Sequence, residues 1–175
     1  GALEVERRRH GNEQRIGRGG LQQDDNISNS VGSGDRSRKA KRSQTYFDDQ
    51  SIVLWLGSGT CLGCIRESQF IPWDDEMDTA SVIGMHGLDE ETVYRTANVF
   101  KENGFYPRIS DSTRYMSVGL VKDGIRTDWT CHLIFNGAAI EFPGVKLPLH
   151  LFTQPMEIEF IGEKFLLPNP PEEYL

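Results

Sequence analysis

Residues 55–78 read WLGSGTCLGCIRESQFIPWDDEMD, and three local patterns follow one another in this stretch. The first is apolar. Ile52-Val53-Leu54-Trp55-Leu56 has the length and composition of a buried strand. The second is the small-residue turn Gly57-Ser58-Gly59-Thr60, which opens a helix-length segment. Glycines there let backbone N–H groups come close to a phosphate, hydroxyls add donors, and the N-terminus of a helix favours an anion. The third is acidic. Asp74, Glu76 and Asp78 are spaced by two, so an extended strand puts all three on one face and turns Asp75 to the other. Carboxylates held that close repel one another, and a divalent cation such as Mg2+ or Mn2+ among them relieves the repulsion. A phosphate cradle beside a hard-metal site is the equipment of phosphoryl transfer.

The same stretch resembles the LicD/fukutin family of phosphotransferases. That family's signature runs G-[ST]-L-L-G-x-x-R, then F-I-P-W-D-D-D, an apolar residue and D. Gly59, Thr60, Leu62, Gly63 and Arg66 match the first half. Phe70, Ile71, Pro72, Trp73, Asp74, Asp75 and Asp78 match the second. With Cys61 at the first leucine position, the spelling looks more like the eukaryotic fukutin-like branch than the bacterial one. Glu76 departs from the usual Asp, and Thr79-Ala80 replace an apolar residue and glycine. Further on, Arg126-Thr127-Asp128-Trp129 stands where relatives carry a strand with another active-site acid. The closing LPNPPEEYL of residues 167–175 is similar to a V-P-x-N-P-E-E-Y-L segment of the family. Relatives continue with Tyr-Gly and a tryptophan, so either a domain truncated at its C-terminus or a divergent short form is expected.

The resemblance implies a nucleotidyltransferase-like fold. It also implies metal-dependent transfer of a phospho-alcohol unit, of ribitol phosphate or phosphocholine type, from a CDP-activated donor to a glycan hydroxyl. On this reading Asp74, Glu76, Asp78 and Asp128 hold Mg2+ or Mn2+, and Gly57, Ser58, Gly59 and Thr60 hold the donor phosphates. Arg66 either joins them or pairs with the acidic cluster. Asp128 completes the metal shell or accepts the proton of the attacking hydroxyl. Partners are then a CDP-activated donor and a glycan or glycoprotein acceptor, in the secretory pathway and most naturally the Golgi. Any membrane anchoring is not encoded in this chain. The alternative is a catalytically inactive fukutin-like protein that binds a partner transferase or a glycan, which Glu76 and Thr79-Ala80 favour.

Charge divides the chain. Residues 1–44 hold ten Lys/Arg against six Asp/Glu and contain no aromatic residue, while residues 45–175 hold nine against twenty. The first segment reads as a disordered basic linker and the second as the phosphotransferase domain. The clusters Arg7-Arg8-Arg9 and Arg36 to Arg42 lack the interleaved aromatics that stack on bases, and the acidic body repels nucleic acid. No apolar run approaches the ~20 residues needed to cross a membrane. Cys61 and Cys64 form a C-x-x-C, but Cys131 is the only other cysteine, so a zinc site lacks its second pair and burial is the expectation.

Past the signature, residues 89–103 predict an amphipathic helix, with Asp89 as cap and Val93, Ala97 and Phe100 on one stripe. Gly104 stops it. Residues 115–121 and 125–135 predict strands around an Asp123-Gly124 turn, and Asn136-Gly137 leads into residues 138–142. Residues 143–155 read as a loop, and residues 156–166 as a final hairpin. The fold class expected is mixed α/β (α+β): a mixed sheet with helices on one face, followed by antiparallel strands.

Overall fold

The computed structural model describes residues 33–113, 115–141 and 144–175. Five helices are present among them: α1 (Ser33–Asp49), α2 (Ser58–Glu67), α3 (Glu90–Glu102), α4 (His150–Thr153) and α5 (Pro171–Tyr174). The strands are β1 (Trp55–Leu56), β2 (Glu76–Val82), β3 (Tyr106–Asp111), β4 (Met116–Lys122), β5 (Ile125–Phe135), β6 (Ala138–Glu141), β7 (Val145–Pro148), β8 (Met156–Phe160) and β9 (Glu163–Leu167). All nine join one sheet in the order β3-β4-β5-β2-β1-β9-β8, with β6 and β7 continuing from the far end of β5. Pairing is parallel at β2–β5 and β1–β9 and antiparallel at the other neighbours. The class is therefore mixed α/β, as the sequence suggests.

Local chemistry explains the elements. Asp89 caps α3 by accepting from the Thr92 N–H at 2.7 Å, and Glu90 and Glu91 sit where the helix dipole favours them. Val93, Ala97 and Phe100 are buried from one stripe of that helix. Phe100 joins Phe47 of α1, Met116, Val118 and Leu120 of β4, and Trp129 of β5 in one core. A second core lies on the opposite face of the sheet. There Cys61 and Cys64 of α2 pack with Trp55, Ala80, Val82, Leu151, Phe152, Phe160 and Leu167. Helices thus cover both faces, whereas the sequence placed them on one. Alternation is the cause: β2 turns Ala80 and Val82 to one core, while its Ser81 faces Trp129 of the other.

The reading of residues 1–44 as a disordered linker is corrected over residues 33–44, which belong to α1. Their mean composition is polar, but Ala40, Ser43 and Phe47 recur on one buried stripe. Ser43 Oγ lies 3.4 Å from Thr127 Oγ1, and Lys41 pairs with Glu163 at 3.1 Å. Residues 1–32 lie outside the described residues. Within the expected loop of residues 143–155, the chain forms β7 and α4, and Leu151 and Phe152 are buried. Strand β3 is a further element that the sequence does not announce. Cys61, Cys64 and Cys131 are all buried free thiols, and burial pushes the Cys61 thiol up to about 12 and that of Cys64 up to about 11. No described helix is long and apolar enough to cross a membrane.

Candidate active site

The glycine turn and the carboxylates meet at the N-terminus of α2. Strand β1 delivers the chain to Gly57, and β2 runs antiparallel beside it, so Gly57 N–H bonds to Asp78 C=O at 3.0 Å. Asp78 and Thr60 then engage reciprocally. The Asp78 N–H donates to Thr60 Oγ1 at 2.8 Å, and the Asp78 carboxylate accepts from the backbone N–H groups of Gly59 and Thr60. Ser58 N–H donates to the Tyr174 hydroxyl at 3.0 Å, and Ser58 Oγ donates to Glu141 Oε1 at 3.4 Å. Residues 57–60 therefore spend their N–H groups on protein acceptors. A phosphate cradle needs those donors free; here the turn holds Asp78 in place.

Three carboxylates converge on this point. Asp128 stands directly across from Asp78 in the parallel β2–β5 register. Asp74 precedes β2 instead of lying in it, and its Oδ1 accepts from Glu76 N–H at 3.3 Å. Burial, followed by the charges of Asp74 and Asp128, pushes the Asp78 carboxyl up to about 6 against the pull of its N–H donors. Gly59 is what allows the approach. A Cβ added there would lie 2.6 Å from Asp74 Oδ2 and 3.4 Å from Asp78 Oδ2. Both oxygens lean over the bare Cα of the helix's first turn.

Glu76 has a different fate from the one its spacing suggested. Arg126 faces it across β2–β5 and forms an ion pair with it. The same guanidinium reaches Asp128 Oδ1, with Nε at 3.3 Å. Arg126 thus supplies a resident positive charge between Glu76 and Asp128. In donor type, Asp74, Asp78 and Asp128 suit a hard divalent cation. Among the described residues, no three His, Cys, Asp or Glu side chains form a group that could hold a metal ion as they are placed. Oxygen chemistry fits such an ion; Glu76, tied to Arg126, is the weakest member of the expected set.

Arg66 is not drawn in. It is exposed in the last turn of α2, eight residues and about 12 Å of helix from Ser58, where a cation suits the helix dipole. Trp73, a residue of the family signature, is 85 % exposed. His132, four residues beyond Asp128 on the same strand face, is buried with its ring stacked on Phe152 at 5.8 Å. Burial holds it down at about 4 despite the hydrogen bond to Ile140 C=O.

Beside the carboxylates the sheet lies open. A cleft of about 510 Å³ is lined by Tyr106, Arg108, Ser110, Ser117, Arg126 and Asp128, among others. The chain matches the family described as LicD/FKTN/FKRP, nucleotidyltransferase domain, over residues 51–169. It belongs to that family. The match spans β1 to the end of β9, and so takes in every LicD-type carboxylate discussed above. No curated protein matches the chain. Membership makes it a domain of a transferase family linked to glycan modification. Sequence reasoning missed Arg126 and Tyr174 as parts of this LicD site. Arg126 stands two residues before Asp128, the spacing that keeps a strand face, and that was the available signal.

Proposed function

We propose that this chain is a metal-dependent phosphotransferase that moves a phospho-alcohol unit, of ribitol phosphate or phosphocholine type, from a CDP-activated donor to a glycan hydroxyl. The observation that carries the reading is the mutual approach of Asp74, Asp78 and Asp128, with Asp74 and Asp78 over Gly59 and Asp128 lining an open cleft, in a chain of the LicD family. Those carboxylates would hold Mg2+ or Mn2+, which would supply charge neutralisation for the donor diphosphate. Asp78 is fixed for that role by the α2 N-terminus. Arg126 adds a second positive charge for the departing CMP phosphate. Asp128 leans over Gly119 on the cleft floor, where a Cβ would lie 3.5 Å from its Oδ1. From there it accepts the proton as the glycan oxygen bonds to phosphorus and the bond from phosphorus to the CMP oxygen breaks.

Calorimetric titration with CDP, UDP, GDP and ADP, each with and without Mn2+, tests this. Binding of CDP that depends on Mn2+ and exceeds that of the other diphosphates is expected. If none binds while the chain is folded, the inactive, partner-binding alternative replaces the enzyme. The Arg126–Glu76 pair is the observation that favours that alternative, because it removes one expected ligand.

A further inference from the structure

The cleft beside the carboxylates has a regular floor. Across β3, β4, β5 and β2, Arg108 pairs with Gly119, Gly119 with Asp128, and Asp128 with Asp78. One neighbouring row runs Tyr106, Val121, Arg126, Glu76, and on the other side Ser110 pairs with Ser117. Directly paired residues share a face, so these side chains stand on one surface. Helix α2 covers that surface only over β1 and β2; over β3 and β4 it forms the cleft. Chemistry is graded along it. Asp78 and Asp128 lie at one end, Gly119 leaves the middle bare, and an exposed guanidinium, Arg108, stands at the other. Strands spaced ~4.8 Å apart put the Arg108 backbone about 10 Å from Asp128 and about 14 Å from Asp78.

That spacing separates the two arginines by task. Arg126 is shared by Glu76 and Asp128. Among the described residues no carboxylate pairs with Arg108. Tyr106, 74 % exposed, offers a ring face beside it, and the paired Ser110 and Ser117 offer hydroxyls on the other side. An aromatic face, two hydroxyls and an unpaired guanidinium match a sugar ring that carries an anion.

We propose that the cleft binds an acidic sugar, bearing a phosphate or a carboxylate, with the anion on Arg108 and a free hydroxyl directed toward Asp128. This rests on the phosphotransferase reading for its purpose: it makes the acceptor an already acidic glycan, with its charge one sugar unit from the hydroxyl that reacts. Titrating the full chain with glucose 6-phosphate, glucuronate and glucose tests it. Both acids, or one of them, should bind about tenfold more tightly than glucose, as one charge-assisted contact provides. The preference should shrink with added salt, vanish in Arg108→Ala and return in part in Arg108→Lys. Which acid is preferred separates a phosphate from a carboxylate as the natural group. Equal binding of all three sugars, no binding of either acid, or a preference that survives Arg108→Ala overturns the proposal. The CDP titration of the unmodified chain, run in parallel, reads the phosphotransferase step separately: acids bound without CDP leave the cleft standing and remove the enzyme.

Discussion

Strand β5 presents one face to a core and the other to the site, and the two treat polar groups differently. On the core side Thr127, Trp129 and Cys131 are buried, and their polar atoms find partners inside: Thr127 Oγ1 with Ser43 Oγ, and Trp129 Nε1 with Ser81 Oγ at 3.0 Å. On the site side Arg126 and Asp128 stand half in water and face each other across a charge. His132 belongs to that same side but disappears beneath Phe152. What packs over a position, more than its residue type, decides whether a titratable group becomes chemistry or core.

The sharpest way to break that distinction is to exchange the consequences of mutation. Trp129→Ala should cost about 3–5 kcal/mol in urea unfolding, since it empties a fully buried site. Asp128→Asn, its neighbour, should leave the unfolding midpoint nearly unchanged. Comparable losses from both would show that the site face is structural after all.

Two glycines of α2 extend the same contrast to a helix. A Cβ at Gly63 would lie 2.6 Å from Gln69 C=O and 3.1 Å from Ile71 N, both backbone atoms that cannot step aside. Gly63→Ala should therefore destabilise the fold by about 1–3 kcal/mol. At Gly59 the obstructing atom is the end of the Asp74 side chain, which can swing away. Gly59→Ala should keep the thermal midpoint and weaken Mn2+ binding in a calorimetric titration. Stability lost at Gly59 with metal affinity intact would reverse the assignment.

The smallest effect concerns Asp78 alone. Its carboxyl titrates near about 6 in the folded chain against an ordinary 3.8, so folding disfavours its ionised form. In metal-free buffer this group makes the chain less stable as pH rises from 3.8 to about 6, with no further change above. Asp78→Asn has no such loss. The stability of the variant minus that of the parent should climb across that window and then level off. Urea midpoints at closely spaced pH values measure it, and a flat difference would mean that neither burial nor the neighbouring carboxylates raise the Asp78 carboxyl.

Much of the site was legible because it is local. The turn, Asp74 and Asp78 lie within twenty-odd residues, and helix α3 and the β4–β5 hairpin announce themselves by cap and turn chemistry. What stayed hidden depends on pairing between distant segments. The parallel register of β2 and β5 sets Arg126 opposite Glu76 and Asp128 opposite Asp78, and no spacing within either strand encodes that choice. Helix α1 was hidden for another reason. Three buried residues among many charged ones suffice for a helix that has a sheet to lie on, while average composition reports only the charges.

The parallel β2–β5 pairing also sets when the site can exist during folding. Helix α3 and the β3–β4 and β4–β5 hairpins join neighbours in sequence, contacts that close short loops and form early. Asp78 meets Asp128 only after everything between residues 78 and 128 has been drawn into a single closed loop. The other wall closes a larger loop still, because β1 pairs with β9 and Ser58 with Tyr174, near the end of the chain. A partly folded chain thus keeps Asp128 far from Asp74 and Asp78, hydrated and free of their repulsion. The repulsion between Asp78 and Asp128, and any affinity for a cation that comes with it, requires that long-range pairing.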